Sequence, residues 1–260
     1  MNPETPAPQK VLYTSGDKGT PWWDTDTREN VEAYCRKNGI TLVNLPKPKG
    51  YQPQWVIFDA FRASLELPAG SVAGWIDSDI LCYPDAPDIL SASLTDRLHF
   101  CQPDPPSRVH PNATKIYRRF NLTAPRPYII SALARWNPSK IKPMVDWFDK
   151  KRGEFPKSIG DQELLIVACH DTETYHTYFP ANWHRMHKWA FRAVVGFLHA
   201  AGTNKQKMWK IKRFWMKIDA DISGKRFGKI FVPKSMSRRR ALVDGYQEAK
   251  ARVLSQFHKP

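Results

Sequence analysis

Val72-Ala73-Gly74-Trp75-Ile76-Asp77-Ser78-Asp79-Ile80-Leu81-Cys82 is an apolar run interrupted by two carboxylates one residue apart. Gly70 and Pro84 bound it, so it reads as a buried strand near the centre of a sheet. Alternation along a strand puts Asp77 and Asp79 on one side and Ser78 on the other. Two anions at the end of a core strand are costly to desolvate, and a cation or a dense set of hydrogen bonds must offset that cost. Carboxylate oxygens suit hard divalent ions such as Mn²⁺ or Mg²⁺, which commonly bridge one or two protein carboxylates to substrate phosphates. A second such pair, Asp219-Ala220-Asp221, lacks this setting: it follows a cationic stretch, lies close to Gly224, and reads as a solvated turn.

Upstream of the run, Lys10 to Ser15 is a short strand leading into Gly16 and Asp17. Thr27 to Lys37 is predicted helical, with Val31, Tyr34 and Cys35 on one face and Asn38-Gly39 as its stop. Ile40 to Leu45 is a second strand, followed by a rigid connection from Pro46 to Pro53. A helix from Pro53 to Glu66 carries Trp55, Phe58, Phe61 and Leu65 on a core stripe. This β-α-β-α-β order predicts a parallel, doubly wound sheet whose ligand lies beyond the carboxyl ends of its strands. Asp77 and Asp79 then sit at that edge, close to Thr14 and Ser15.

Downstream, Ile89 to Leu94 is helix-like and Leu98 to Cys101 is a strand. From Gln102 to Pro127 the chain is rich in proline and carries Arg108, Lys115, Arg118, Arg119 and Arg126, which predicts a long functional loop over the site. Apolar pattern resumes in the strand Tyr128 to Leu133, a helix spans Pro138 to Lys151, and Gly160-Asp161-Gln162-Glu163 opens another. Asp161 at a helix start serves either as a cap or as a site residue. A third stretch, Phe197-Leu198-His199-Ala200-Ala201-Gly202-Thr203-Asn204-Lys205, bears on that choice. Neutral imidazole completes a metal shell begun by two carboxylates, Gly202 lets a phosphate approach the backbone, and Lys205 neutralises a diphosphate. A lone histidine at a strand end is otherwise structural, and the spacing to Gly202 and Lys205 favours the ligand. His184 and His187 form a subordinate metal pair with no Glu or Cys pattern nearby, and Trp183 and Trp189 suggest packing or acceptor contact.

The composition is that of a globular chain, 42% hydrophobic and 12% aromatic over 260 residues. No apolar run approaches the ~20 residues that span a bilayer, and the first residues have neither a basic region nor an apolar core. The expectation is a cytoplasmic protein. Cys35, Cys82, Cys101 and Cys169 are widely spaced and read as free thiols. Charge is uneven: residues 203–260 hold 16 Lys or Arg against four acids, a net of +12 within a total of +15. That asymmetry points to an anionic partner. Residues 1–9 are expected to be a flexible start, 10–202 the catalytic domain, and 203–260 a basic helical segment.

Asp77-x-Asp79 after a core strand, Asp161-Gln162 in mid-chain and His199-x-x-Gly202-x-x-Lys205 near the end, in that order, resemble the GT-A glycosyltransferases, most closely the retaining galactosyltransferases and glycogenin-like enzymes. The resemblance covers about residues 10–209. It implies an α/β, Rossmann-like, mostly parallel sheet flanked by helices, here with a basic C-terminal helical extension. It further implies that Asp77, Asp79 and His199 hold Mn²⁺ on the diphosphate of a UDP-sugar. Thr14 and Ser15 then lie near the nucleotide, Gly202 and Lys205 at the phosphates, and Asp161 and Gln162 beside the donor sugar. Arg62 is the counterpart of a family basic residue. The family's Asn-x-Gly has no counterpart in Ile129-Ile130-Ser131-Ala132, and Gln206-Lys207-Met208-Trp209 replaces its Pro-Trp.

The acceptor is read from the basic end. Met208, Ile211, Trp215 and Ile218 form an apolar stripe among lysines and arginines, the pattern of an interfacial helix on an anionic membrane. A membrane glycolipid or surface glycan is therefore the first acceptor, with the protein peripheral at the inner face of a membrane. Cations interleaved with Trp209, Phe214 and Trp215 also fit DNA, where the acceptor is a modified base. The reading from another class is a non-catalytic protein that binds sugar nucleotides or polyanions. A helix from Ser235 to Phe257 closes the predicted elements.

Overall fold

The computed structural model describes residues 6–16, 23, 27–83, 86–92, 94–101, 111–122, 128–180, 183–186 and 196–199. Strand β1 (Lys10–Thr14) is buried from Val11 onward because both of its faces are covered, which is why its sequence is continuously apolar. Helix α1 (Arg28–Asn38) turns Val31, Tyr34 and Cys35 inward and ends at Gly39, whose φ of 63° lies in the left-handed region open to a residue without Cβ. Strand β2 (Thr41–Asn44) follows. The helix predicted from Pro53 to Glu66 is a 3-10 turn, Pro53–Val56, continued by α2 (Ile57–Ser64). It leads to β3 (Val72–Ile76).

With β5 (Leu98–Cys101), β6 (Ile130–Trp136) and β7 (His176–Tyr178), these strands form a six-stranded sheet in the order β2-β1-β3-β6-β5-β7. The pairs β1–β2, β1–β3 and β5–β7 are parallel, and β6 lies antiparallel between β3 and β5. The mostly parallel sheet is as predicted, with one reversed strand. Helices α2, α4 (Lys142–Lys151) and α5 (Asp161–Asp171) cover one face over Phe58, Phe61, Trp136 and Phe148. The Phe58 and Phe148 rings stack there at 4.2 Å. On the other face α1 covers Leu12, Ile76 and Leu133. Each such side chain withdrawn from water contributes about 1.5–3 kcal/mol.

Three predictions are corrected. The central run is not one strand: β3 stops at Ile76, residues 77–79 turn, and β4 (Ile80–Cys82) belongs to a second sheet of order β4-β9-β8, with β8 (His184–Met186) and β9 (Phe197–His199). The chain is turned out because Asp77 N–H bonds Ala132 O at 2.9 Å and Ile80 N–H closes back on Asp77 O at 3.1 Å. Of the stretch predicted as helix from Ile89 to Leu94, the described residues are not helical, and Ile89, Leu90 and Ala92 lie in turns; the Asp88 carboxylate takes the Leu90 N–H at 2.9 Å, a local bond that competes with helix formation. The proline-rich stretch contains α3 (Pro111–Arg119), whose first residue is a proline in the position where its missing N–H costs nothing.

The helix predicted from Pro138 begins as a 3-10 turn, Pro138–Lys140, before α4. Gly202, Lys205 and His187, with the helices expected in 204–218 and 235–257, lie outside the described residues. Among the described residues no helix is long and apolar enough to cross a membrane.

Candidate active site

The turn at 77–79 is where the chain passes from the large sheet to the small one, and this passage brings the site together. Ile80 pairs with His199 across β4 and β9, so the imidazole is delivered beside Asp79 although the two residues lie far apart in sequence. His199 Nε2 stands 3.4 Å from Asp79 Oδ1 and 4.0 Å from Asp77 Oδ2. One donor atom from each of the three residues lies within 4.8 Å of the others. Around an octahedral ion with bonds of roughly 2.1 Å, adjacent ligand atoms lie about 3 Å apart and opposite ones about 4 Å apart. The donor set, two carboxylates and an imidazole, therefore fits a Mn²⁺- or Mg²⁺-sized ion in both chemistry and spacing.

Electrostatics agree with that fit. Burial, followed by the neighbouring Asp79 carboxylate, pushes the Asp77 acid up to about 7. Trp75 Nε1 donates to Asp77 Oδ1 at 2.7 Å and favours the anion, as does His199. For His199, burial works against the imidazolium, yet the Asp79, Asp77 and Asp161 carboxylates together raise its pKa above the ordinary value. His199 Nδ1 is buried and has no hydrogen-bond partner among the described residues. Two acids and a histidine that share a pocket in this way suit a divalent cation.

Asp161 is the first residue of α5, after Gly160. It is therefore not the cap itself. Its carboxylate accepts a hydrogen bond from the Ser131 hydroxyl of β6. Burial raises its pKa, while Ser131 and the backbone amides at the start of the helix pull the other way. Its charge is felt at both Asp77 and His199, which places it in the same electrostatic pocket. Gln162 accepts from the Tyr128 hydroxyl at 2.6 Å, leaving its amide N–H groups to donate.

Thr14 and Ser15 leave β1 at this same edge, one step beyond the Tyr13–Trp75 pairing and hence alongside Ile76 and Asp77. Thr14 is fully buried, and its hydroxyl has no hydrogen-bond partner among the described residues. Arg62 lies elsewhere: in the last turn of α2 it pairs with Asp59 and Asp149, on the wall of a surface cavity of about 880 Å³ that Tyr51 and Arg152 also line. His184 is buried in β8, its ring centroid 5.4 Å from that of His199. Trp183 stacks on Phe179 at 5.8 Å, as packing contact predicts.

Sequence reasoning passed over Ser131, Trp75, Tyr128 and Asn44, whose side-chain oxygen takes the Gly16 N–H at 2.8 Å. Of these, only Ser131 carried a signal, as a small hydroxyl among the apolar residues Ile129, Ile130, Ala132 and Leu133.

No protein-family model and no curated protein matches the sequence. Solved structures do match the architecture. A glycosyltransferase involved in the glycosylation of the major capsid of PBCV-1 aligns over 79% of this chain and 99% of its own, at a TM-score of 0.57 and 16% identity. The galactosyltransferase LgtC, in complex with donor and acceptor sugar analogues, aligns over 86% and 98%, at a TM-score of 0.51 and 12% identity. The chain has the GT-A fold. The bifunctional glycosyltransferase WbbM matches at a TM-score of 0.55 and 11% identity over 82% of this chain and 50% of its own. At these identities the likeness is one of fold. Within a GT-A framework, the turn between β3 and β4 sits at the carboxyl edge of the sheet, where a doubly wound fold binds its ligand.

Proposed function

We propose that this chain is a metal-dependent glycosyltransferase that moves a sugar from a nucleotide-sugar, with UDP as the nucleotide, to an acceptor hydroxyl on a membrane glycolipid or surface glycan. The observation that carries the reading is the convergence of Asp77, Asp79 and His199 at the strand edge, with Asp161 held beside them. The matched folds, a capsid glycosyltransferase and a galactosyltransferase with donor and acceptor analogues, support it.

Asp77, Asp79 and His199 would hold a divalent ion, which would supply Lewis acidity to the leaving diphosphate. The Asp161 carboxylate, fixed by Ser131, stabilises positive charge as it develops at the anomeric carbon. Gln162, oriented by Tyr128, donates a hydrogen bond to donor or acceptor. Gly202 and Lys205 complete the phosphate site, and Thr14 and Ser15 flank the nucleotide. A carboxylate and an amide at that position suit transfer with retention, and NMR assignment of the product anomer checks this.

Thermal unfolding with UDP, GDP and their sugar conjugates, each with and without Mn²⁺, tests the donor site. The expected result is a stabilisation that requires nucleotide and metal together. No shift with any pair overturns the reading. A shift without release of nucleotide on any acceptor moves the assignment to a sugar-nucleotide-binding protein. Residues 203–260 interleave cations with Trp209, Phe214 and Trp215, which favours a second acceptor, a modified base in DNA. Salt-sensitive retention on duplex DNA distinguishes it.

A further inference from the structure

Helix α3 occupies a particular place. Cys101 at the end of β5 pairs with Ile130 at the start of β6, and Leu133 of β6 pairs with Ile76, next to Asp77. The chain therefore leaves and re-enters the sheet at the edge that carries the site, and α3 lies on that excursion. Ile116 is buried in the core cluster with Tyr128 and Ile129, and Phe120 packs on Phe155 at 5.6 Å, shortly before Asp161 in the chain. This anchorage leaves Lys115, Arg118 and Arg119 exposed. Their spacing puts them on one side of the helix within about 6 Å of axial rise.

Their surroundings differ from those of many surface cations, which are paired with carboxylates. Arg28 and Arg36 pair with Glu32, Arg62 with Asp59 and Asp149, Lys142 with Asp146, and Lys151 with Glu154. Among the described residues Lys115 and Arg118 have no carboxylate partner, and Arg119 lies over the Phe120 ring at 5.5 Å. Residues 1–202 hold 24 Lys or Arg and 21 Asp or Glu, and α3 supplies three of those cations and no acid. Arg118 and Arg119 complement the helix dipole, but Lys115 stands a turn earlier, where that interaction fades.

We propose that the exposed face of α3, Lys115, Arg118 and Arg119, docks on the anionic surface of a lipid bilayer and turns the catalytic edge toward an acceptor held there. The purpose of the docking rests on the glycosyltransferase reading; the docking itself does not. A plane of headgroup phosphates needs only a small cationic face, at about 1 kcal/mol for each Lys or Arg near the surface. A duplex needs a run of phosphate contacts along its backbone, longer than a nine-residue helix offers. Three cations bind weakly by themselves, and the net +12 of residues 203–260 on the same chain makes the attachment multivalent.

The test is co-sedimentation of the full chain with phosphatidylcholine vesicles, with and without phosphatidylserine, at low and raised salt. Binding requires phosphatidylserine and weakens with salt. The Lys115→Gln/Arg118→Gln/Arg119→Gln chain partitions roughly five-fold less for each cation removed. A control, Arg28→Gln/Arg36→Gln/Lys142→Gln, stays within about two-fold of the parent, since these cations are already paired. Equal losses in the two variants, binding indifferent to phosphatidylserine, or capture by duplex DNA in place of vesicles would each overturn the proposal. The thermal shift with UDP and Mn²⁺ is retained in the α3 variant; its absence from the parent chain removes the glycosyltransferase reading and leaves the vesicle result standing.

Discussion

The two nitrogens of His199 have different surroundings. Nε2 faces both carboxylates, while Nδ1 is buried without a partner among the described residues. A histidine that ligates a metal usually donates its second N–H to an acceptor, which fixes the tautomer. Here ring contact with His184 and pairing of β9 between two strands do the holding. Asp79→Ala is expected to abolish nucleotide stabilisation by Mn²⁺ and turnover while leaving the melting temperature without ligand unchanged or raised, because it removes a like charge from Asp77. Persistent metal dependence in that variant would take Asp79 out of the site. The raised Asp77 acid also carries a sign. Folded protein without metal keeps that proton up to about 7, whereas the unfolded chain releases it near 3.8. The contribution to stability is thus full below the unfolded value and lost as pH rises through the folded one. Urea melts in chelator at about pH 5 and about pH 8 should show this loss, and Asp77→Asn should flatten it. Ser131→Ala leaves the half-buried Asp161 acid without its hydroxyl donor, at a cost of about 1 kcal/mol. We expect a fall in kcat with little change in donor KM; a rise in KM alone would mean that Ser131 serves binding.

At the scale of elements, the decisive feature is a strand that ends early. β3 is held by β1 on one side and β6 on the other, and Gly74 lies in its middle, beneath Leu90 and Leu12. A Cβ at that position would stand 2.8 Å from Ala134 O and 2.8 Å from Leu90 Cδ2. Gly74→Ala should therefore cost about 1–3 kcal/mol in chemical denaturation with an unchanged m-value. A neutral result would show that β6 can shift without harm. Most elements declared themselves in sequence: β1, α1, β5 and β6 each have an apolar pattern bounded by breakers. The turn at 77–79 did not, because Ile80-Leu81-Cys82 stays apolar on entering another sheet, and a pattern of burial does not say which sheet does the burying. Helix α3 was hidden by the prolines that precede it. The turn after Asp88 read as helix because Ile89 and Leu90 are both buried, which fits either conformation.

For the whole molecule, two core clusters on opposite faces of one sheet enclose the four cysteines, all free and buried. Burial raises the Cys82 and Cys101 thiols and pushes Cys35 up to about 12. Ellman's reagent should therefore find no fast-reacting thiol in native protein and all four after denaturation. A fast thiol in the native state would show that one of the clusters opens readily. The amino-acid order alone determined the α/β class and singled out Asp77, Asp79, Asp161 and His199 as candidates, since apolar runs, breakers and a few polar residues in apolar settings are local properties of the chain. Tertiary structure decided the reversal of β6, the departure of β4 into a second sheet, and the company each acid keeps: Ser131 with Asp161, Trp75 with Asp77, His199 with Asp79. Those choices depend on pairing between residues as distant in sequence as Ile80 and His199, and no local pattern records which distant strand supplies a missing hydrogen bond.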